Sequence, residues 1–214
     1  MSYRLPIIIF PFLFLLCSCL GVNLDITLNQ NGSGTITMEY HISRLIESLG
    51  KLDGNERWNT IPVGKTDFER SMDRLPGMKL LSFSSKENEK DLVTNAKMEF
   101  ENLQALKTFL DAGGRRSSFS GDAASGRIFL TLTDGNDKEN AALAKLLTEI
   151  SESYSVNIHM SFPHEGSLIV TNKQGRPLPE ISRSVVSSGK KVSCSIPLNA
   201  VLSSADGINL EFRW

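Results

Sequence analysis

The sequence predicts an α+β domain, a mostly antiparallel sheet of hairpins with three to four helices packed on one face, following a lipoprotein signal peptide. Three observations carry this reading. Apolar and polar residues alternate in paired short runs joined by Gly- and Asn-rich turns. Capped stretches with helical apolar spacing lie between the pairs. An apolar N-terminal run ends in Leu16-Cys17-Ser18-Cys19.

Residues 1–18 have the parts of an export signal: Arg4 and the amino terminus as the positive region, an apolar core from Leu5 to Leu16, and small residues at the cut. That core covers roughly 18 Å as a helix, against a hydrocarbon thickness of about 30 Å, so it is too short to span. A branched apolar residue three positions before a cysteine, with small residues between, is what a lipoprotein signal peptidase reads. Cys19 is therefore the expected lipidation site, its acyl chains holding the protein to a membrane. The expected organisation is signal peptide 1–18, lipidated tether 19–22 and a single α+β domain 23–214. Leu20 rather than Asp follows Cys19, which favours the outer membrane over the inner one in a diderm envelope.

Cleavage removes Arg4 and no acid, so the 23 basic and 24 acidic residues become 22 and 24. A near-neutral balance does not offer the basic face that nucleic acid requires. Of the 3 cysteines, Cys17 leaves with the signal, Cys19 carries lipid and Cys194 stands alone in an alternating run, so no disulfide is expected. One thiol and three scattered histidines do not make a four-ligand metal site, and no cofactor is expected.

Leu24, Ile26 and Leu28 alternate with polar residues, and the pattern resumes at Ile36, Met38, Tyr40 and Ile42 after Asn29–Gly34, giving a hairpin. A short helix follows, with Ser43 as its cap, Leu45, Ile46 and Leu49 on one face and Gly50 at its end. Lys51–Gly64 reads as a loop in which Trp58 is either a ligand contact or a plug on the core. Thr66 and Glu69 form a capping box before the stripe Phe68, Met72 and Leu75, ended by Pro76-Gly77. The plan then recurs. Met78, Leu80 and Phe83 mark a strand, Lys86–Lys90 a turn, and Leu92, Ala96, Met98 and Phe100 the returning strand. Asn102 caps a helix with Leu103, Leu106, Phe109 and Leu110 on one side.

Residues 113–126 carry no periodic apolar pattern and read as a mobile loop; within it Arg115-Arg116 either meets anionic lipid headgroups or is solvated. Ile128, Leu130 and Leu132 form a strand, Asp134-Gly135 a turn, and a helix from Asp137 to Tyr154 presents Leu143, Leu146, Leu147 and Ile150 to the sheet. Strands close the chain at Val156–Phe162, Leu168–Val170, Val192–Ile196 and Ile208–Trp214, with an Asn172–Gly175 turn between the second and third. Trp214, in phase with the core-facing residues, ties the carboxyl terminus into the sheet.

Catalytic signals are sparse. His41, His159 and His164 have no spacing that brings them together, no Gly-x-Ser-x-Gly elbow is present, and Ser187-x-x-Lys190 lies in a hairpin rather than at a helix start. Catalytic and metal residues are accordingly none, and the expectation is a non-enzymatic protein. A sheet with helices across one face either leaves an apolar cleft for an amphipathic ligand or packs solid.

The run Leu24-Asp25-Ile26-Thr27-Leu28-Asn29-Gln30-Asn31-Gly32-Ser33-Gly34-Thr35-Ile36-Thr37-Met38, with Phe162-Pro163 and the Asn172–Gly175 turn before two closing strands, resembles the LppM-like family of bacterial lipoproteins. The resemblance covers the two ends of the domain and implies an α+β domain held at the cell envelope, with lipid or glycolipid binding as its role; no catalytic residues carry over. The expected partners are the membrane, through the acyl chains on Cys19, and a lipid or amphipathic ligand. The alternative is a structural lipoprotein that docks on another envelope protein; a hydrolase of envelope lipids is a third reading, for which no residue is nominated.

Overall fold

The computed structural model describes residues 20–44, 64–111, 116–135, 153–182 and 184–214. β1 (Leu20–Leu28) and β2 (Gly34–Ser43) form the predicted hairpin, in unbroken antiparallel register from Leu20 opposite Ile42 to Leu28 opposite Gly34. Asn31 closes it by accepting hydrogen bonds from the backbone and hydroxyl of Ser33, and Gly32 takes the positive φ that the turn requires. The strand begins three residues earlier than expected, so Leu20, Gly21 and Val22 belong to the sheet rather than to a tether. Val22 continues the core-facing phase of Leu24, Ile26 and Leu28 and is 2% exposed, and burial of that side chain favours pairing of the whole segment. Cys19 and the signal segment lie outside the described residues, as do Leu45–Gly50, residues 51–63 with Trp58, and residues 137–152 of the expected long helix.

Helix α1 (Lys65–Asp73) starts one residue before the predicted cap. Gly64 occupies the N-cap with no side-chain bond, and Thr66 lies within the first turn. Its apolar stripe is as expected: Phe68 and Met72 are buried, and the Phe68 ring sits 5.3 Å from that of Phe83 on the next strand. β3 (Met78–Glu87) and β4 (Asp91–Phe100) then form the second hairpin. A bulge between Leu80 and Ser82 explains why the inward residues Leu80 and Phe83 are three apart. Leu81 is the extra residue and projects into solvent. Asn102 caps α2 (Leu103–Leu110) as predicted, its Oδ1 accepting from Ala105 N–H at 2.9 Å.

The Gly- and Ser-rich segment that follows contains a strand the sequence concealed. β5 (Ser117–Gly121) pairs antiparallel with β6 (Gly126–Thr133), and Phe119 is its single large apolar anchor. Asp111 holds the segment's entry, its buried Oδ1 accepting from the backbone N–H of Arg116 and Ser117. The Arg116 guanidinium donates inward to the Leu132 carbonyl, so this arginine serves the fold; Arg115 lies outside the described residues.

The remaining elements are β7 (Ser155–Ser161), β8 (Ser167–Thr171), α3 (Pro179–Ser182), β9 (Val186–Ser188), β10 (Lys191–Pro197), α4 (Leu198–Ser203) and β11 (Ile208–Arg213). They complete two sheets. The larger has the order β3-β4-β2-β1-β7-β10-β9 and is antiparallel except where β1 runs parallel to β7; the smaller, β5-β6-β11-β8, is antiparallel throughout. The α+β class stands, with the hairpins divided between two sheets that share one apolar core. Helix α2 touches β3 and β4 of one sheet and β5 of the other, and α4 touches β10 and β6, so both bridge the layers. Met98, Phe100, Leu106, Ile128, Met160 and Phe212 fill the space between, each with at most 1% exposure.

Trp214 is anchored as its phase predicts. Its backbone exchanges hydrogen bonds with Gly126, its indole N–H donates to the Asp122 carbonyl at 3.1 Å, and its ring stacks between Phe162 at 5.2 Å and Phe119 at 6.2 Å.

Candidate functional site

The faces of β1, β2, β4 and β7 turned away from the core are polar except at Val93, because their strands alternate and the apolar parity points inward. At the end of the sheet where β1 begins, this outer face sinks into a cleft of about 390 Å³. Gly21 forms part of its floor, and Tyr154 forms a wall. A Cβ on Gly21 would stand 3.0 Å from Tyr154 Cδ1, so the ring lies close against the strand only because residue 21 has no side chain.

Three local arrangements bring the polar groups here. Strand register sets His41 opposite Gly21, with Glu39 two residues back on the same face of β2. The β3–β4 turn delivers Asp91, since Asn88 Oδ1 accepts from the backbone N–H of both Lys90 and Asp91 at 2.8 Å. Tyr154, immediately before β7, is held by its carbonyl, which accepts from Leu198 N–H at 2.9 Å.

The side chains form a continuous chain of contacts across four strands. Asn157 Nδ2 donates to Asn23 Oδ1 at 2.6 Å, and Asn23 Nδ2 donates to Glu39 Oε1 at 3.0 Å. His41 Nε2 lies 3.1 Å from the same Glu39 oxygen, while its Nδ1 is 3.9 Å from Asp91 Oδ2. Tyr154 completes the line by donating to Asp91 Oδ1 at 2.6 Å. The hydrogen bond from His41 is the largest influence on Glu39 and, with those of Asn23 and Asn95, holds its carboxyl below the usual 4.5 against a partial loss of hydration. An ionised carboxylate only accepts, so a hydrogen bond at this contact requires the His41 tautomer with its proton on Nε2. An imidazole thus sits between two carboxylates, beside the exposed Lys90.

The three histidines are not brought together. His159 lies farther along the sheet, opposite Asp25 and Ser193, and His164 is in the turn after β7. Ser187 and Lys190 flank the Gly189 turn between β9 and β10, as their spacing implied. Cys194 is buried and its thiol is pushed up to about 11 by burial, which leaves it a packing residue. Among the described residues no His, Cys, Asp and Glu cluster is suited to a metal ion, and no helix is long and apolar enough to cross a membrane. The cleft itself was not apparent from the sequence. Its one local sign was the shared parity of Glu39 and His41; Asp91 and Tyr154 join them only through tertiary pairing.

No protein-family model matches the chain, and no curated protein matches it. Among solved structures, the folded domain of LppM from Mycobacterium tuberculosis, determined by NMR, is similar, with a TM-score of 0.44 and 11% identity over 100% of this chain and 96% of that one. The likeness is one of general arrangement.

Proposed function

We propose that the protein is a lipid-anchored lipoprotein of the cell envelope whose domain binds an amphipathic molecule without catalysis, and that the cleft at Gly21 holds that molecule's polar head. The observation that carries this reading is continuity of the chain. β1 begins at Leu20, one residue after the predicted acylation site, and the two peptide units between Cys19 and Gly21 can reach no farther than about 7 Å whatever their conformation. Acyl chains on Cys19 would therefore hold this end of the sheet, and the cleft with it, at the bilayer surface. The following Leu20 favours the outer membrane. In place of the apolar interior volume considered from the sequence, the binding feature is a polar cleft on the opposite face of the larger sheet.

Two measurements test the proposal. Palmitate labelling in growing cells should mark the wild-type chain and spare Cys19→Ala. Native mass spectrometry of protein extracted from its own membrane should show a co-purified amphiphile. An unlabelled wild-type chain, or extraction without detergent, would remove the anchor; a ligand-free spectrum would remove the binding role.

The alternative, a structural lipoprotein docking on another envelope protein, is favoured by β3. Among the described residues this ten-residue strand is outermost in its sheet, and Leu81 at its bulge is 45% exposed. A photo-crosslinker at position 81 should give one dominant protein adduct in intact cells under that reading and none under the first.

A further inference from the structure

Resting on the envelope reading above, we infer that the cleft receives the phosphoethanolamine head group of an aminophospholipid, with its ammonium innermost and its phosphate at the mouth. The distribution of charge by depth is the first reason. Asp91, the carboxylate that lines the cleft, has a side chain only 17% exposed, whereas Glu39, 34% exposed, holds His41 by its hydrogen bond without lining the cleft. Lys90, by contrast, projects at the surface beside them. One carboxylate within and one lysine at the rim complement a zwitterion that enters cation first. In a phosphoethanolamine lipid the amine is the distal end and the phosphate is joined to the glycerol. A head group entering from the bilayer would present its charges in that order.

Hydrogen-bonding character narrows the cation. A primary ammonium has three N–H donors and no acceptor, which matches the acceptor-only Asp91 carboxylate and the oxygen-rich wall supplied by Ser153, Ser155 and the Tyr154 hydroxyl. A quaternary ammonium is held instead by several aromatic faces, and among the described residues Tyr154 is the one Phe, Tyr or Trp that lines this cleft. The acceptors are also fixed in advance. Tyr154 orients Asp91, so a ligand would meet a carboxylate already aimed rather than one it must order. Lys90 contributes a compact point charge suited to one phosphate oxygen.

The test uses the full acylated chain purified in non-ionic detergent. It is titrated by calorimetry with dihexanoyl phosphatidylethanolamine, phosphatidylcholine and phosphatidylglycerol, and with glycerophosphoethanolamine as the head group free of acyl chains. The expected result is binding of phosphatidylethanolamine at least about tenfold tighter than the other two lipids, with Asp91→Asn losing that preference and Lys90→Ala weakening it. Melting curves of both variants establish that they are folded, and the preference of the wild-type chain stands as evidence independently of them. Equal binding of the three lipids, or a preference for choline or glycerol, overturns the head-group inference while leaving an amphiphile-binding protein. Binding of glycerophosphoethanolamine alone overturns the lipid source, and binding of none of the four overturns this inference and argues against an amphiphile site as well.

Discussion

The Tyr154 hydroxyl donates to Asp91 Oδ1 at 2.6 Å across 63 residues of sequence, and this bond fastens the segment before β7 to the first residue of β4. The contact joins two strands that are not neighbours, since β2 and β1 lie between them. Tyr154→Phe should therefore lower stability by about 1 kcal/mol, the ordinary net value of one hydrogen bond in a partly exposed setting. Urea unfolding of the single variants and of Tyr154→Phe with Asp91→Asn gives the pairwise coupling. A coupling indistinguishable from zero would mean that the bond does not fasten the two strands.

Gly126→Ala should be more damaging than its small size implies. A Cβ there would stand 2.6 Å from Trp214 Cζ2 and 2.9 Å from the Asp122 carbonyl, so the aromatic stack or the β6 backbone must move. We expect a loss of about 1–3 kcal/mol and a changed near-ultraviolet circular dichroism signal from the indole. Gly175→Ala is the control, because nothing lies within 4 Å of its Cβ position and only its φ of 76° opposes the substitution. That variant should lose about 1 kcal/mol with no aromatic signal.

Asn209 is a polar residue in a buried position, 7% exposed. Its Oδ1 accepts from Thr131 at 2.8 Å and its Nδ2 donates to the Asn172 carbonyl at 3.0 Å. Asn172 in turn accepts from the backbone of Gln174 and Arg176, so one side chain links β11 to the turn after β8. Replacing Asn209 with Leu keeps the branched shape but adds bulk and strands both partners, and should cost about 2–4 kcal/mol. Amide hydrogen exchange should accelerate at Gln174 and Arg176 in that variant; unchanged exchange there would dissociate the turn from Asn209.

Alkaline solutions should weaken the fold through Cys194. Burial pushes its thiol from the usual 9.0 up to about 11, so the folded chain keeps this proton to higher pH than the unfolded chain does. The contribution to stability is complete below pH 9.0 and declines as pH rises towards about 11, by about 1.4 kcal/mol for each unit. Cys194→Ala should flatten the stability profile across that window. Aromatic disulfide reagents should label the native thiol only at the rate of unfolding, and rapid labelling of folded protein would contradict the burial.

Sequence was informative wherever one face of an element meets the core and the other meets water. Leu24–Leu28 and Ile36–Ile42 show this with period two, and Asn102 adds a cap whose chemistry has few other uses, so these elements were legible directly. Thr66 misled because its capping side chain competes with a chain path that places Gly64 at the helix entry. β5 was hidden for a different reason. An edge strand needs only one inward anchor, Phe119, and its neighbours are small polar residues shared by loops and strands alike. The parallel pairing of β1 with β7 joins segments more than 130 residues apart, and no local pattern encodes which strand becomes the neighbour of which. The cleft inherits that limit: Glu39 and His41 are near in sequence, but Asp91 and Tyr154 arrive by way of the sheet order.

The central location of β1 governs how the molecule would respond to tension. A pull on Leu20 runs along a strand flanked on one side by β2 and on the other by β7, and the cross-strand bonds lie across the direction of pull. They would share the load in shear rather than open one after another like a zipper. A domain tugged from Leu20 should thus withstand far more force than one tugged from β9 at the sheet's margin, because its own backbone would carry the load into the middle of the larger sheet.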